Sequence, residues 1–255
     1  MPPSSMENSI EESLESRYLA LKQRIAGAAA ACGRSLEDIT LVAVSKGHDS
    51  NTIRAAYDLG QRDFGESYIQ EWLTKRDALM DLTEIRWHFI GHLQSNKAKL
   101  LAEGCYCIQS IDRSTIAEIL ERRFTLAPKR GTTPLRALIQ LQVDASDGNK
   151  FGLKAKEAER VCEIMTHMKE IEWSGFMGVG PAEKDPMELK ALFDSFVAQC
   201  NHLWSTFHHN SGSSAQPVVS LGMTNDLEIA IASGSNMVRV GTSLFGERAP
   251  KPEEI

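Results

Sequence analysis

Apolar positions along the chain follow two rhythms. Leu14, Tyr18, Leu21, Ile25 and Ala28 recur at steps of four and three, one face of a helix over Glu11–Cys32, with Gly33 just past its end as a C-cap. Beyond it, short β-branched runs alternate with amphipathic stretches. Strands are expected at Ile39–Val44, Asp63–Gly65, Trp87–Ile90, Tyr106–Ile108, Leu135–Val143, Ile171–Met177, Pro217–Ser220 and Met237–Val240. Helices are expected at Ser50–Leu59, Tyr68–Asp81, Ser95–Ala102, Arg113–Thr125, Lys154–His167, Pro186–Phe207 and Thr224–Ser233. Such alternation indicates a parallel sheet. Eight repeats within 255 residues favour a closed α/β structure, a single (β/α)8 or TIM barrel of the usual size of about 250 residues. The leading helix either closes one end of the barrel or stands in for the eighth. Lys129–Thr133, Ser146–Lys150 and His208–Gln216 read as loops. Residues 1–9 and 249–255 read as flexible tails around one domain, 10–248.

Composition narrows the classes of partner. A formal charge of −6, with no basic run interleaved with aromatics, argues against nucleic acid or an anionic membrane as the main partner. No apolar stretch approaches the roughly 20 residues that span a bilayer. The acidic, polar start MPPSSMENSIEESLES is unlike a secretory or transit signal, so a cytoplasmic location is expected. The five cysteines, Cys32, Cys105, Cys107, Cys162 and Cys200, are scattered and read as reduced, mostly buried thiols. Strand alternation would put Cys105 and Cys107 on one side of their strand.

In a parallel barrel the reactive groups collect where strands end and loops begin. Those places hold Lys46, Gly65-Glu66-Ser67, Gly91-His92, Gly178 and Gly180, Leu221-Gly222-Met223-Thr224, and Gly241-Thr242. Burial at a strand end would lower the pKa of Lys46 and make its amine a better nucleophile toward a carbonyl. Position alone, however, favours a lysine that snorkels to solvent. The glycine turns after the last two strands change that balance. Each pairs close backbone approach with a hydroxyl donor, where barrels often hold a phosphate, and together with Lys46 they describe a pocket for a phosphorylated carbonyl compound. His88 and His92 lack a third ligand at metal spacing, so His88 is expected to be a satisfied polar residue near the pocket. Asn96 and Lys97 would orient the loop after the third strand. Lys150 is a second candidate amine, equally well explained as a solvated loop lysine.

These residues carry a resemblance. Ala43-Val44-Ser45-Lys46, Phe64-Gly65-Glu66, the run from His88 to Lys97, Lys150-Phe151-Gly152-Leu153, Ser220-Leu221-Gly222-Met223-Thr224-Asn225-Asp226 and the run from Met237 to Gly246 resemble the pyridoxal 5′-phosphate (PLP) homeostasis protein family, in order over nearly the whole chain. The resemblance implies the alanine racemase N-terminal barrel, PLP fold type III, with PLP held as an internal aldimine on Lys46. It implies phosphate contacts from Ser220, Gly241 and Thr242, with backbone help around Met223 and Thr224. It also implies that Arg239 faces the pyridine nitrogen, which keeps the ring a poorer electron sink. The chain departs from the family pattern at Ser67, at Asn149 and at Gly175-Phe176-Met177-Gly178, near-pocket changes that bear on fine contacts.

Two functions fit such a site. A PLP-dependent amino-acid racemase needs acid–base groups on both faces of the substrate carbon. The related racemases take their second base, a tyrosine, from a C-terminal domain. Here the chain stops roughly nine residues after Gly246, and of Tyr18, Tyr57, Tyr68 and Tyr106 only Tyr68 is expected near the pocket side. The expectation is therefore a monomeric PLP carrier for intracellular vitamin B6 homeostasis, with no catalytic residues and no metal. Its recipients would be apo forms of PLP-dependent enzymes.

Overall fold

A computed structural model of the chain describes residues 13–101, 104–126, 134–144, 152–208 and 216–247. The expected tails, the loops at 129–133 and 146–150 with Asn149 and Lys150, and residues 209–215 lie outside the described residues.

Eight parallel strands form a closed barrel in sequence order: β1 (Thr40–Val44), β2 (Asp63–Glu66), β3 (Arg86–Phe89), β4 (Cys105–Ile111), β5 (Leu135–Gln140), β6 (Ile171–Met177), β7 (Val218–Ser220) and β8 (Met237–Val240), with β8 pairing back onto β1. Strands buried on both faces explain the near-continuous apolar runs. Their outward residues, among them Leu41, Ala43, Phe64, Trp87 and Val238, join the main core beneath the helices. Inside the barrel Val42, Cys107, Leu138, Met177 and Met237 form a separate cluster.

The helices are α1 (Leu14–Ala31), α2 (Ser50–Asp58), α3 (Ile69–Ala78), α4 (Ala98–Leu101), α5 (Ser114–Leu126), α6 (Ala155–Thr166), α7 (Pro186–Phe207), α8 (Leu227–Ala232) and α9 (Thr242–Phe245). The Ser13 hydroxyl caps α1 by accepting the Ser16 N–H. Gly33, at φ +70°, ends it with the paired bonds Gly33 N–H to Ala30 and Arg34 N–H to Ala29. Helix α1 packs on α2, α8 and α9. It therefore occupies the place of the helix that should follow β8, where the described residues supply only the short α9.

Several boundaries differ from expectation. Helix α4 is one turn long because the polar segment Gln94–Lys97 bends into a tight turn, with Lys97 N–H on the Gln94 carbonyl. Helix α8 starts at Leu227 rather than Thr224, since the Asp226 carboxylate accepts the Met223 N–H and holds that segment as a turn. Strand β4 extends to Ile111 and its register against β3 shifts between Trp87 and His88. That shift breaks the alternation on which Cys105 and Cys107 were expected to share a side: Cys105 joins the outer core and Cys107 the inner cluster. Four cysteines are buried and Cys32 is exposed. No helix among the described residues is long and apolar enough to cross a membrane.

Candidate functional site

Lys46 owes its place to the alternation of β1. Val42 faces the barrel interior, Val44 the cavity above it, and Lys46, two residues on, the cavity wall. The intervening Ser45 points the other way, its hydroxyl donating to Glu66 Oε1 at 2.7 Å. Lys75 of α3 lies beneath this strand end and donates to the Ser45 carbonyl (2.7 Å), Glu66 Oε1 (2.7 Å) and Glu71 Oε1 (2.6 Å). Glu71 in turn accepts the Gly47 N–H. Both neighbours of Lys46 are thus tied to carboxylates that share one buried ammonium. Burial raises the Glu66 carboxyl above its ordinary value despite Lys75.

The cavity that Lys46 lines has a volume of about 330 Å³, at the small end of the roughly 300–1,000 Å³ usual for small-molecule sites. Its walls bring together Lys46, Met223, Thr224, Arg239, Gly241 and Thr242, all six expected from sequence, with Val44 and Ile90 as apolar surface. The loops after β7 and β8 lie side by side because those strands pair. Gly222, at φ +100° and with a hypothetical Cβ 2.6 Å from that of Ala230, lets the first loop turn sharply. From outside, Arg24 of α1 donates to the Thr224 carbonyl at 3.0 Å. In the second loop a Cβ on Gly241 would sit 3.2 Å from the Val44 carbonyl oxygen, so glycine permits the close approach of β8 to the Lys46 strand.

Arg239 forms part of the cavity floor. It is 5% exposed, and burial lowers its pKa to about 10, opposed by the nearby Asp226; it remains a cation at neutral pH. Its guanidinium donates to the Ser220 carbonyl (2.8 Å), the Ser220 hydroxyl (2.7 Å) and the Gly178 carbonyl (2.7 Å).

Ser220 is placed differently from the other expected residues. It is fully buried below the cavity, its hydroxyl engaged by Arg239 and by Gln109 Oε1 (2.7 Å) rather than turned into the space lined by Gly241 and Thr242. Asp226, in the cavity lining, and Gln109, beneath it, were not singled out; a buried glutamine inside an apolar strand is the signal that could have found the latter. Tyr68 lines a different cavity, with Ser67, His92 and Lys97. Among the described residues no group of three or more His, Cys, Asp or Glu side chains is placed to hold a metal ion.

A closed parallel barrel with a strand-one lysine and paired loops after its last strands defines a class. Residues 19–249 match the family model described as alanine racemase, N-terminal domain. The pyridoxal phosphate homeostasis protein of Escherichia coli (strain K12) is 36% identical over 231 residues, 89% of this chain and 94% of that one. The chain belongs to the pyridoxal phosphate homeostasis protein family. The solved structure of PipY from Synechococcus elongatus PCC7942 with PLP bound superposes with a TM-score of 0.77 at 28% identity, covering 92% of this chain and all of that one. Alanine racemase from E. faecalis, at 17% identity and a TM-score of 0.61, shares the barrel over 92% of this chain and 60% of its own.

Proposed function

We propose that this protein binds PLP through Lys46 and holds it for release to other proteins, serving vitamin B6 homeostasis in the cytoplasm without turning the cofactor over. The observation that carries this reading is the presence of Lys46, Arg239, Met223–Thr224 and Gly241–Thr242 around one cavity of small-molecule size. The donor set fits the group. An amine suits the aldehyde; N–H and hydroxyl donors at the ends of β7 and β8 suit a phosphate. Val44 and Ile90 suit the faces of a ring, and a buried cation balances the phosphate's charge. When bound, PLP supplies the aldehyde and an electron-withdrawing ring.

The chain's own residues set what happens around it. The clamp of Glu66, Glu71 and Lys75 fixes the backbone on both sides of Lys46, so its amine has a defined approach. Gly241 and Thr242 anchor the phosphate, with Met223 and Thr224 across from them. Arg239, always a donor, offers the ring nitrogen an N–H and no proton to take, which restricts carbanion chemistry. Racemisation needs a second acid–base group opposite the lysine. Among the described lining residues the carboxylate is Asp226, which already accepts the Met223 N–H. Holding and releasing is therefore the better fit, and apo forms of PLP-dependent enzymes are the expected recipients.

The test is direct. Purified protein with PLP should absorb near ~420 nm, as lysine adducts of this cofactor do, and borohydride should fix PLP on Lys46. An unchanged spectrum in Lys46→Ala overturns the assignment. Steady production of D-amino acid from a single L-amino acid would replace the holding role by a racemase. Faster activation of an apo-enzyme by the loaded protein than by free PLP would support delivery.

A further inference from the structure

A line of buried polar side chains runs through the barrel interior, from its N-terminal rim to the floor of the cavity. Arg239 donates to the Ser220 hydroxyl (2.7 Å), and Ser220 donates to Gln109 Oε1 (2.7 Å). Gln109 Nε2 lies 2.9 Å from His88 Nδ1, and His88 Nε2 lies 2.9 Å from Asp63 Oδ1. At the rim Arg86 forks onto both oxygens of Asp63. Ser220, Gln109 and His88 are each no more than 1% exposed, so none can exchange a lost partner for bulk water.

The two ends fix the direction of every bond between them. Arginine has no acceptor and an ionised carboxylate has no donor. Asp63 is ionised: burial pushes its pKa up, but the Arg86 and His88 bonds outweigh this and bring it to about 2. Starting from Arg239, Ser220 accepts and must hand its own hydrogen to Gln109 Oε1. The amide nitrogen then faces His88 Nδ1, and its second hydrogen points at the Met237 sulfur, 3.3 Å away. A carbonyl oxygen in that place would face two lone pairs. Nδ1 is therefore bare, and the imidazole proton sits on Nε2, aimed at Asp63. Turning Gln109 over would strand the Ser220 hydrogen and require an imidazolium at His88. The amide, the imidazole tautomer and the Arg239 contact hold one another in place.

We propose that Gln109 and His88, neither of which lines the cavity, are positioning residues that hold the Arg239 guanidinium at the ring-nitrogen end of the cofactor site by keeping the Ser220 hydroxyl an acceptor. Three of the five Arg239 N–H donors are committed to Ser220 and Gly178; two have no partner among the described residues and are left for the cavity that Arg239 lines. This assignment rests on the PLP reading of the cavity.

The experiment compares the unmodified protein with Gln109→Leu and with Leu138→Ala, an interior packing change outside the polar line. Each is titrated with PLP, its bound absorption band recorded, and the adduct on Lys46 trapped with borohydride. Gln109→Leu is expected to keep the trapped adduct, weaken PLP roughly tenfold and move the band; Leu138→Ala is expected to lower thermal stability without moving the band. In the Arg239→Lys background Gln109→Leu should add little further loss, because it acts through Arg239. An independent measurement needs no variant: imidazole 15N NMR of the unmodified protein should show His88 neutral, protonated on Nε2. Wild-type affinity and band in Gln109→Leu, or a proton on Nδ1 of His88, overturns the assignment alone. Absence of any Lys46 adduct from the unmodified protein overturns the PLP reading and this inference with it.

Discussion

At the scale of single residues, Lys46 is read less from its own surroundings than from what grips its neighbours. A strand-end lysine without such restraint has no reason to present its amine in one direction. Lys75 supplies the restraint from a fully buried position, and the Glu71–Lys75 spacing on α3 would pass in the sequence for an ordinary surface pair. Removing Lys75 leaves Glu66 buried without its cation, a loss of about 3–5 kcal/mol for a broken buried pair. The pH dependence has a definite sign. Burial already holds the folded-state pKa of Glu66 above its ordinary value, so its contribution to stability is present at low pH and lost as pH rises through that folded value. Lys75→Met, which deepens the shift, should therefore show a larger deficit in urea unfolding at about pH 8 than at about pH 5. A deficit independent of pH would mean that Glu66 is not the group left uncompensated.

At the scale of elements, helix and strand periodicity made the barrel legible, and the misplacements share a cause. Cys105 and Cys107 were expected on one side because alternation assumes an unbroken ladder, and the β3–β4 register shift is not written in either strand alone. The family resemblance put Ser220 on a phosphate. Yet it pairs with Met237, four residues before Gly241, and so lies well below that glycine, a relation set by the pairing of β7 with β8. The polar line through His88 and Gln109 depends on side chains from β2, β3, β4, β7 and β8 meeting inside the barrel, which no local pattern reports. Loop contacts behave likewise. A Cβ on Gly91 would overlap the Ser67 carbonyl oxygen, so the turns after β2 and β3 are in backbone contact. Gly91→Ala should separate them and cost about 1–3 kcal/mol. Gly27→Ala, in the middle of α1 with nothing within 4 Å of the added methyl, should be neutral or stabilise by roughly 0.5–1 kcal/mol. Equal melting temperatures for the two variants would contradict the close approach at Gly91.

At the scale of the whole molecule, the barrel joins a bonded interior to the cavity at its mouth. Its interior is tied from rim to floor by the line that ends at Arg239. At its mouth the loop after β7 is held by Arg24 on the Thr224 carbonyl and by the Asp226 carboxylate on the Met223 N–H. A holder of this design should be stable without its cofactor and gain stability only by binding it. For a ligand that binds the native state alone, a hundredfold excess over Kd adds about 2.7 kcal/mol. For a domain of roughly 150–250 residues each kcal/mol moves Tm by about 2–4 °C, so saturating PLP should raise Tm by about 5–11 °C. Lys46 lines the cavity, so Lys46→Ala should lose most of that rise. Pyridoxal without the phosphate should give a smaller rise than PLP in the unmodified protein, since the donors of Gly241 and Thr242 would then have no anion to hold. A full rise in Lys46→Ala would show that the loops after β7 and β8 carry the affinity by themselves. A full rise with pyridoxal would show that they carry none of it.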